Sequence, residues 1–199
     1  MQAPLRFRLA LKRLVHGDGG RGRDGDRVVE RLALRPGTRV ADIGSGFGGF
    51  AMRFAAAVGP EGRVFAVDVD PDLRDAIARL ADERAMPRLV PVAAASDDPA
   101  LPGPVDLVFL STSFHHLPDR VAWFVRLRPS LAPDATVVVL ETTPGLLTGR
   151  FGHATRPEDV RATLEAAGYR LLWRDDVVRF ASLQAFAAVA GHAGGEPTS

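Results

Sequence analysis

The chain has 199 residues, a formal net charge of +1 and no cysteine. That length suits one α/β domain with a proper core, and 46% apolar with 25% charged residues is ordinary for a soluble globular protein. The balanced charge argues against coating nucleic acid, the missing thiols exclude disulfides and thiolate chemistry while leaving the redox compartment unspecified, and no apolar run reaches membrane-spanning length.

The amino terminus, "MQAPLRFRLALKRLVHG", carries Arg6, Arg8, Lys12 and Arg13 with no acid, and Phe7, Ala10, Leu11 and Leu14 share one helical face. A transit peptide, a membrane-surface helix, and a short helix packed on the domain or lying over its pocket all fit this pattern. Charges interrupt any secretory h-region, and the expected compartment is cytoplasmic. "GDGGRGRDGD", residues 17–26, reads as a glycine-rich linker. The expected organisation is a basic segment and linker over 1–25, one domain over 26–190, and a disordered tail over 191–199.

From residue 26 helices and strands alternate. "DRVVERLAL" reads as a helix capped by Asp24 or Asp26, and "TRVADIG" as a buried strand. "GFAMRFAAAVG" is a helix stopped by Gly59 and Pro60. "GRVFAVDVD" is a second strand, and "PDLRDAIARLADERA" is a helix with Pro71 in its first turn. "RLVPVAAA" and "VDLVFLS" are strands three and four. "PDRVAWFVRLRPSL" is a helix, with Trp123 and Phe124 in the core, and "ATVVVLE" is strand five. "RPEDVRATLEAAG" is a helix ending at Gly168. "YRLLWRDD", with Trp173 in the core, and "SLQAFAAVA" close the pattern as strands. Continuous Val/Ile/Leu-rich strands between helices mean a mostly parallel sheet with helices on both faces, a doubly wound, Rossmann-like α/β fold. The last two strands have no helix between them and are expected to pair as an antiparallel hairpin at the sheet edge.

"ADIGSGFGGF", residues 41–50, is the glycine-rich turn between the first strand and its helix. Gly44, Gly46 and Gly49 satisfy the dinucleotide spacing, and Asp68 ends strand two, where a carboxylate accepts hydrogen bonds from both ribose hydroxyls of an adenosine. Those features serve NAD and S-adenosylmethionine equally. Asp42 separates them. In a dinucleotide turn the pyrophosphate lies near this position and a carboxylate repels it, whereas the ammonium and sulfonium of S-adenosylmethionine are cations. A dehydrogenase would also need a substrate domain, for which this length leaves no room.

On these residues, "VADIGSGFGGF" resembles motif I of the class I S-adenosylmethionine-dependent methyltransferases, Asp/Glu-x-Gly-x-Gly-x-Gly, here Asp42, Gly44, Gly46 and Gly48. "VFAVDVDP" is similar to motif II, with Asp68 as the ribose acid. "AAASDDPALPGPVDLVFLSTSFHHLPD" is similar to motifs III and IV run together, "LRPSLAPDATVVVLE" to the helix and strand that follow, and "LEAAGYRLLW" to the last helix and strand six. The similarity covers roughly residues 26–190, is nearest to the small-molecule branch that includes quinone biosynthesis, and implies a seven-stranded sheet with the last strand inserted antiparallel. It implies S-adenosylmethionine as cofactor, held by Asp42, Gly44, Ser45, Gly46, Gly48, Asp68 and Val69, with Ser96 and Asp97 beside the adenine and Ser111 opening the loop after strand four. "LAPDAT" departs from the family's commoner Pro-Gly-Gly turn.

"FHHLPD", residues 114–119, follows strand four, where doubly wound folds place ligands. His115 or His116 is the candidate general base, with Phe114, Glu141 and Thr142 as the expected substrate rim. A turn-forming role for the histidines is the structural alternative. A metal site is not expected, since adjacent side chains diverge. Arg150 either contacts an anionic acceptor or is a solvated surface arginine. "STSF" stands where adenine-amino methyltransferases have Asn/Asp-Pro-Pro-Tyr, which disfavours a nucleic-acid substrate. The expected partner is a small organic acceptor; an NAD(P)-dependent oxidoreductase and a non-catalytic S-adenosylmethionine-binding module are the alternatives. Oligomeric state is not legible in the sequence.

Overall fold

The computed structural model describes residues 22–145, 154–176, 178 and 180–190. The basic stretch over 1–21, Arg150 and the tail over 191–199 lie outside the described residues. Seven strands build one sheet: β1 (Arg39–Ile43), β2 (Arg63–Asp68), β3 (Leu89–Ala93), β4 (Val105–Ser111), β5 (Leu131–Thr142), β6 (Tyr169–Asp175) and β7 (Ala181–Ala188), in the order β3-β2-β1-β4-β5-β7-β6. The first five pair in parallel. β7 inserts antiparallel between β5 and β6. The expected hairpin therefore exists, with β6 as the edge strand. Winding outward from β1 to β3 and then back to β4 opens a crevice at the carboxyl ends of β1 and β4, the switch point where such sheets bind ligands.

Among the described residues five α-helices cover the sheet: α1 (Arg23–Leu32), α2 (Gly49–Ala57), α3 (Pro71–Glu83), α4 (Arg120–Leu127) and α5 (Pro157–Ala166). Strand alternation sorts the core into two layers. Val40, Val64, Ala66, Phe109, Val138 and Leu140 face α1, α2 and α3. Ala41, Ile43, Val67, Val108, Leu110, Val137 and Val139 face α4 and α5, where Trp123, Phe124 and Leu127 pack against them. Trp123 and Phe124 are thus core residues as expected, while Trp173 is only partly buried and lies under the Arg31 guanidinium, 3.8 Å away.

The first described helix starts earlier than the sequence reading places it. α1 opens at Arg23, inside the expected linker, with Gly22 at the cap and neither Asp24 nor Asp26 capping. Instead Asp26 pairs with Arg53 of α2 at 2.9 Å, and Gly25 is buried inside α1. Packing against α2 overrides the low helix propensity of the glycine. Among the described residues no helix is long and apolar enough to cross a membrane.

Phe109 is fully buried at the centre of the first layer, its ring 4.7 Å from Phe50 and 5.0 Å from Phe54. Phe109→Ala is expected to lower the unfolding free energy by about 3–5 kcal/mol. Urea denaturation with an unchanged m-value is the measurement; a loss below about 1 kcal/mol would show that the layer refills the space.

Candidate active site

The glycine turn has a defined shape because β2 holds it. The amides of Gly44 and Ser45 both donate to the Val67 carbonyl, at 2.9 and 3.1 Å, and the Gly46 amide donates to Asp68 Oδ2 at 2.9 Å. Gly44, Gly46 and Gly48 all have positive φ, a region costly for any residue with a Cβ. Gly44 carries a second constraint: an added Cβ would stand 2.7 Å from Ser113 Cβ. At Gly46 the same atom would meet nothing nearer than 4.0 Å, so that glycine leaves an open cradle. Gly48 caps α2. Ser45 is buried, and its hydroxyl has no hydrogen-bond partner among the described residues.

Two buried carboxylates stand at the tips of β1 and β2, on the α2 side of the sheet. Burial pushes Asp42 up to about 7; the Ala51 amide in the first turn of α2 opposes the rise, and the Asp68 carboxylate adds to it. Asp68 is also raised, chiefly by burial, against the hydrogen bonds it takes from the Asp70 and Gly46 amides. Each Asp68 oxygen accepts one amide at 2.9 Å, which leaves further acceptor capacity on both. A positively charged ligand relieves such a pair, and a pyrophosphate opposes it. The orphaned Ser45 hydroxyl, the open cradle at Gly46 and the two carboxylates together fit S-adenosylmethionine.

Across the crevice, the loop after β4 carries the histidines. Thr112 takes a positive φ of 50°, and Ser113 Oγ then donates to the Ile43 carbonyl at 2.8 Å. A short 3₁₀ turn follows over Phe114–His116. The Glu141 carboxylate, buried at the end of β5, accepts from the Phe114 amide at 2.9 Å and meets His115 Nδ1 at 3.0 Å. A carboxylate accepting at both oxygens makes Nδ1 the donor, so the basic lone pair of this tautomer is on Nε2. The His116 ring lies 4.1 Å from that of His115, in a more exposed position.

The three residues of the expected substrate rim take different positions. Phe114 is fully buried and packs 6.0 Å from Phe124, because the 3₁₀ turn aims it into the layer beneath α4. Glu141 shares the strand parity of Val137 and Val139, so it faces inward and holds the histidine turn. Thr142 is half-buried at the strand end and accepts from the Thr155 amide at 2.9 Å. Val69 is 57% exposed beside Asp68. Ser96 and Asp97 are exposed in a turn after β3, where Arg126 bonds the Asp97 carbonyl, and Ser111 is half-buried at the tip of β4. Sequence reading passed over Ser113 and Arg120. No local pattern marks either; the only trace is that Gly44 must lack a side chain for Ser113 to fit.

Sheet order, glycine turn and paired tip carboxylates define a nucleotide-cofactor domain of the methyltransferase type. Residues 41–137 match the family described as a methyltransferase domain. The chain is 30% identical to nocamycin O-methyltransferase of Saccharothrix syringae over 69% of its own length and 53% of that protein. It is 28% identical to the ubiquinone/menaquinone biosynthesis C-methyltransferase UbiE of Cupriavidus taiwanensis over 57% of its length and 47% of that protein. It thus spans about half the length of these curated relatives. The crystal structure of a SAM-dependent methyltransferase from Aquifex aeolicus shares the fold at TM-score 0.78 and 19% identity, covering 94% of this chain and all of that one. In sequence over residues 41–137 and in fold, the chain resembles the class I S-adenosylmethionine-dependent methyltransferases.

Gly44→Ala is expected to displace the loop after β4 and lose cofactor binding, whereas Gly37→Ala, with positive φ but open space around it, costs only about 1 kcal/mol of backbone strain. Calorimetry with S-adenosylhomocysteine and thermal melts separate the two; equal behaviour of the variants would refute the steric argument.

Asp42 gives a pH signature. Its folded-state value of about 7 exceeds the ordinary 3.8, so the folded protein holds this proton more tightly than the unfolded chain. That contribution favours folding fully below the ordinary value and is lost as pH rises through about 7. Asp42→Asn, which keeps the acceptor for Ala51, is therefore expected to melt several degrees above wild type at pH 8, with the gain shrinking towards pH 4. A pH-independent difference would refute the burial argument.

Proposed function

We propose that this chain transfers a methyl group from S-adenosylmethionine to a small organic acceptor by in-line displacement. The observation that carries the proposal is the pair of buried, mutually repelling carboxylates, Asp42 and Asp68, beside an open glycine cradle. When bound, the cofactor supplies a methyl on a positively charged sulfur, which departs as a neutral thioether. Asp68 would take the ribose hydroxyls on its remaining lone pairs. Asp42, Ser45 and the backbone of Gly44, Gly46 and Gly48 would hold the methionyl end, and Val69, Ser96 and Asp97 would flank the adenine. Ser111 opens the loop that faces the acceptor.

His115 is the proposed general base, because Glu141 orients its ring. Nε2 takes the acceptor's proton as the acceptor's lone pair forms the new bond to carbon, and the Glu141 carboxylate stabilises the imidazolium that results. Both an O-methyltransferase and a C-methyltransferase are among the relatives, and hydroxyls and acidic carbons are the acceptors that gain from such a base. Thr142 would stand at the edge of the acceptor site. The cytoplasm is the proposed compartment.

Calorimetric titration should show S-adenosylhomocysteine binding and NADH failing to bind; the reverse would overturn the proposal. Asp68→Ala should weaken S-adenosylhomocysteine by about 1–3 kcal/mol, and unchanged affinity would remove the ribose role. Labelled cofactor over phenols, quinols, carbon acids, amines and thiols identifies the acceptor. On a hydroxyl or carbon acid, His115→Gln should lower kcat at least about 100-fold.

A further inference from the structure

We propose that Arg120 is a positioning residue for His115, clamping the histidine turn from the side opposite Glu141. This rests on the general-base reading of His115. A 3₁₀ turn of three residues has little rigidity of its own. Two backbone bonds close it here, His116 to Ser113 at 3.1 Å and Leu117 to Phe114 at 3.2 Å. A base must be held within about 0.5 Å of its productive position. Two side chains supply what the turn lacks. Glu141 takes the Phe114 amide and the His115 ring. Arg120 Nε donates to the Phe114 carbonyl at 3.1 Å and Nη2 donates to the His115 carbonyl at 3.2 Å. The Phe114–His115 dipeptide is thus gripped at its amide end by an anion and at its two carbonyls by a cation.

The residue type matters. A guanidinium presents several donors in one rigid plane and spans two carbonyls; an ammonium is a point donor on a flexible stem. The Arg120 guanidinium also lies 5.0 Å from the centroid of the Phe114 ring, whose buried side chain anchors the same turn in the core. Its own base is fixed, because Arg120 is the first residue of α4 and Asp119 caps that helix through the Ala122 amide at 3.1 Å. Among the described residues no carboxylate pairs with Arg120, so its donors serve the turn rather than an ion pair.

The experiment uses the full chain with Arg120→Gln and Arg120→Lys. Thermal melting and S-adenosylhomocysteine affinity report fold and cofactor site. Steady-state kinetics on the acceptor found by screening separate kcat from KM. The His115 imidazole carbon–proton NMR signal, assigned with His115→Gln and titrated with pH, reports ring position without turnover. Both variants should keep the melting temperature and S-adenosylhomocysteine affinity nearly unchanged, lower kcat about 10- to 100-fold with little change in KM, and move the His115 titration in the direction that Glu141→Gln moves it. Unchanged kcat and an unchanged His115 signal in both variants would overturn the proposal. So would a loss explained entirely by melting or by weakened cofactor binding. Should Arg120→Gln fail to fold, Arg120→Lys, which keeps the charge and loses the fork, decides. Full turnover by His115→Gln would sink the general-base reading separately, and the NMR titration would still decide whether Arg120 sets the ring.

Discussion

Ser113 occupies the space that a side chain on Gly44 would need. That one contact joins the two halves of the site. On one side stands the glycine turn, fastened to β2 through Val67 and Asp68. On the other stands the loop after β4, which Ser113 fastens to the Ile43 carbonyl. His115 follows two residues later. The distance between the cofactor cradle and the histidine is therefore set by a hydrogen bond and a missing methyl, not by a long flexible loop. The positive φ at Thr112 belongs to the same arrangement, since strain of that kind persists only where surrounding contacts over-determine it.

Strand parity then divides the chemistry. Asp42 and Asp68 share the face of Val40 and Ala66, towards α2. Glu141 shares the face of Val137 and Val139, towards α4. Two carboxylate systems thus lie on opposite faces of one sheet and meet only at its carboxyl edge. Their electrostatics differ accordingly. Burial leaves the Asp42 and Asp68 carboxyls raised, against the amides that each accepts, and this suits a cationic guest. Glu141 accepts from a backbone amide and meets an imidazole, so it holds the histidine turn from the β5 side.

The histidine turn shows how a weak local element acquires precision. Three residues of 3₁₀ helix hold little order alone. Here the neighbours come from β5 and α4, elements remote in sequence, and each contributes a charged group to one dipeptide. Charge-assisted hydrogen bonds to the peptide backbone are stronger than neutral ones. The arrangement spends two buried or half-buried charges on geometry.

The sequence by itself determined the layers, the strand and helix types, the glycine turn, Asp68 at the tip of β2, and a crevice lined by Asp42 and the histidine loop. Period and turn chemistry are local, so "VDLVFLS" and "ADIGSGFGG" carry them without help from the rest of the chain. Tertiary structure alone decided which way the side chains of the second half of the site point. Phe114 went into the core, Glu141 came to meet the His115 ring, and Ser113 and Arg120 became fasteners. α1 likewise starts within a glycine-rich stretch because α2 is there to pack against. Those outcomes depend on contacts between residues up to 70 positions apart, such as Ser113 with Ile43. Such contacts exist only once the sheet has set its order and register.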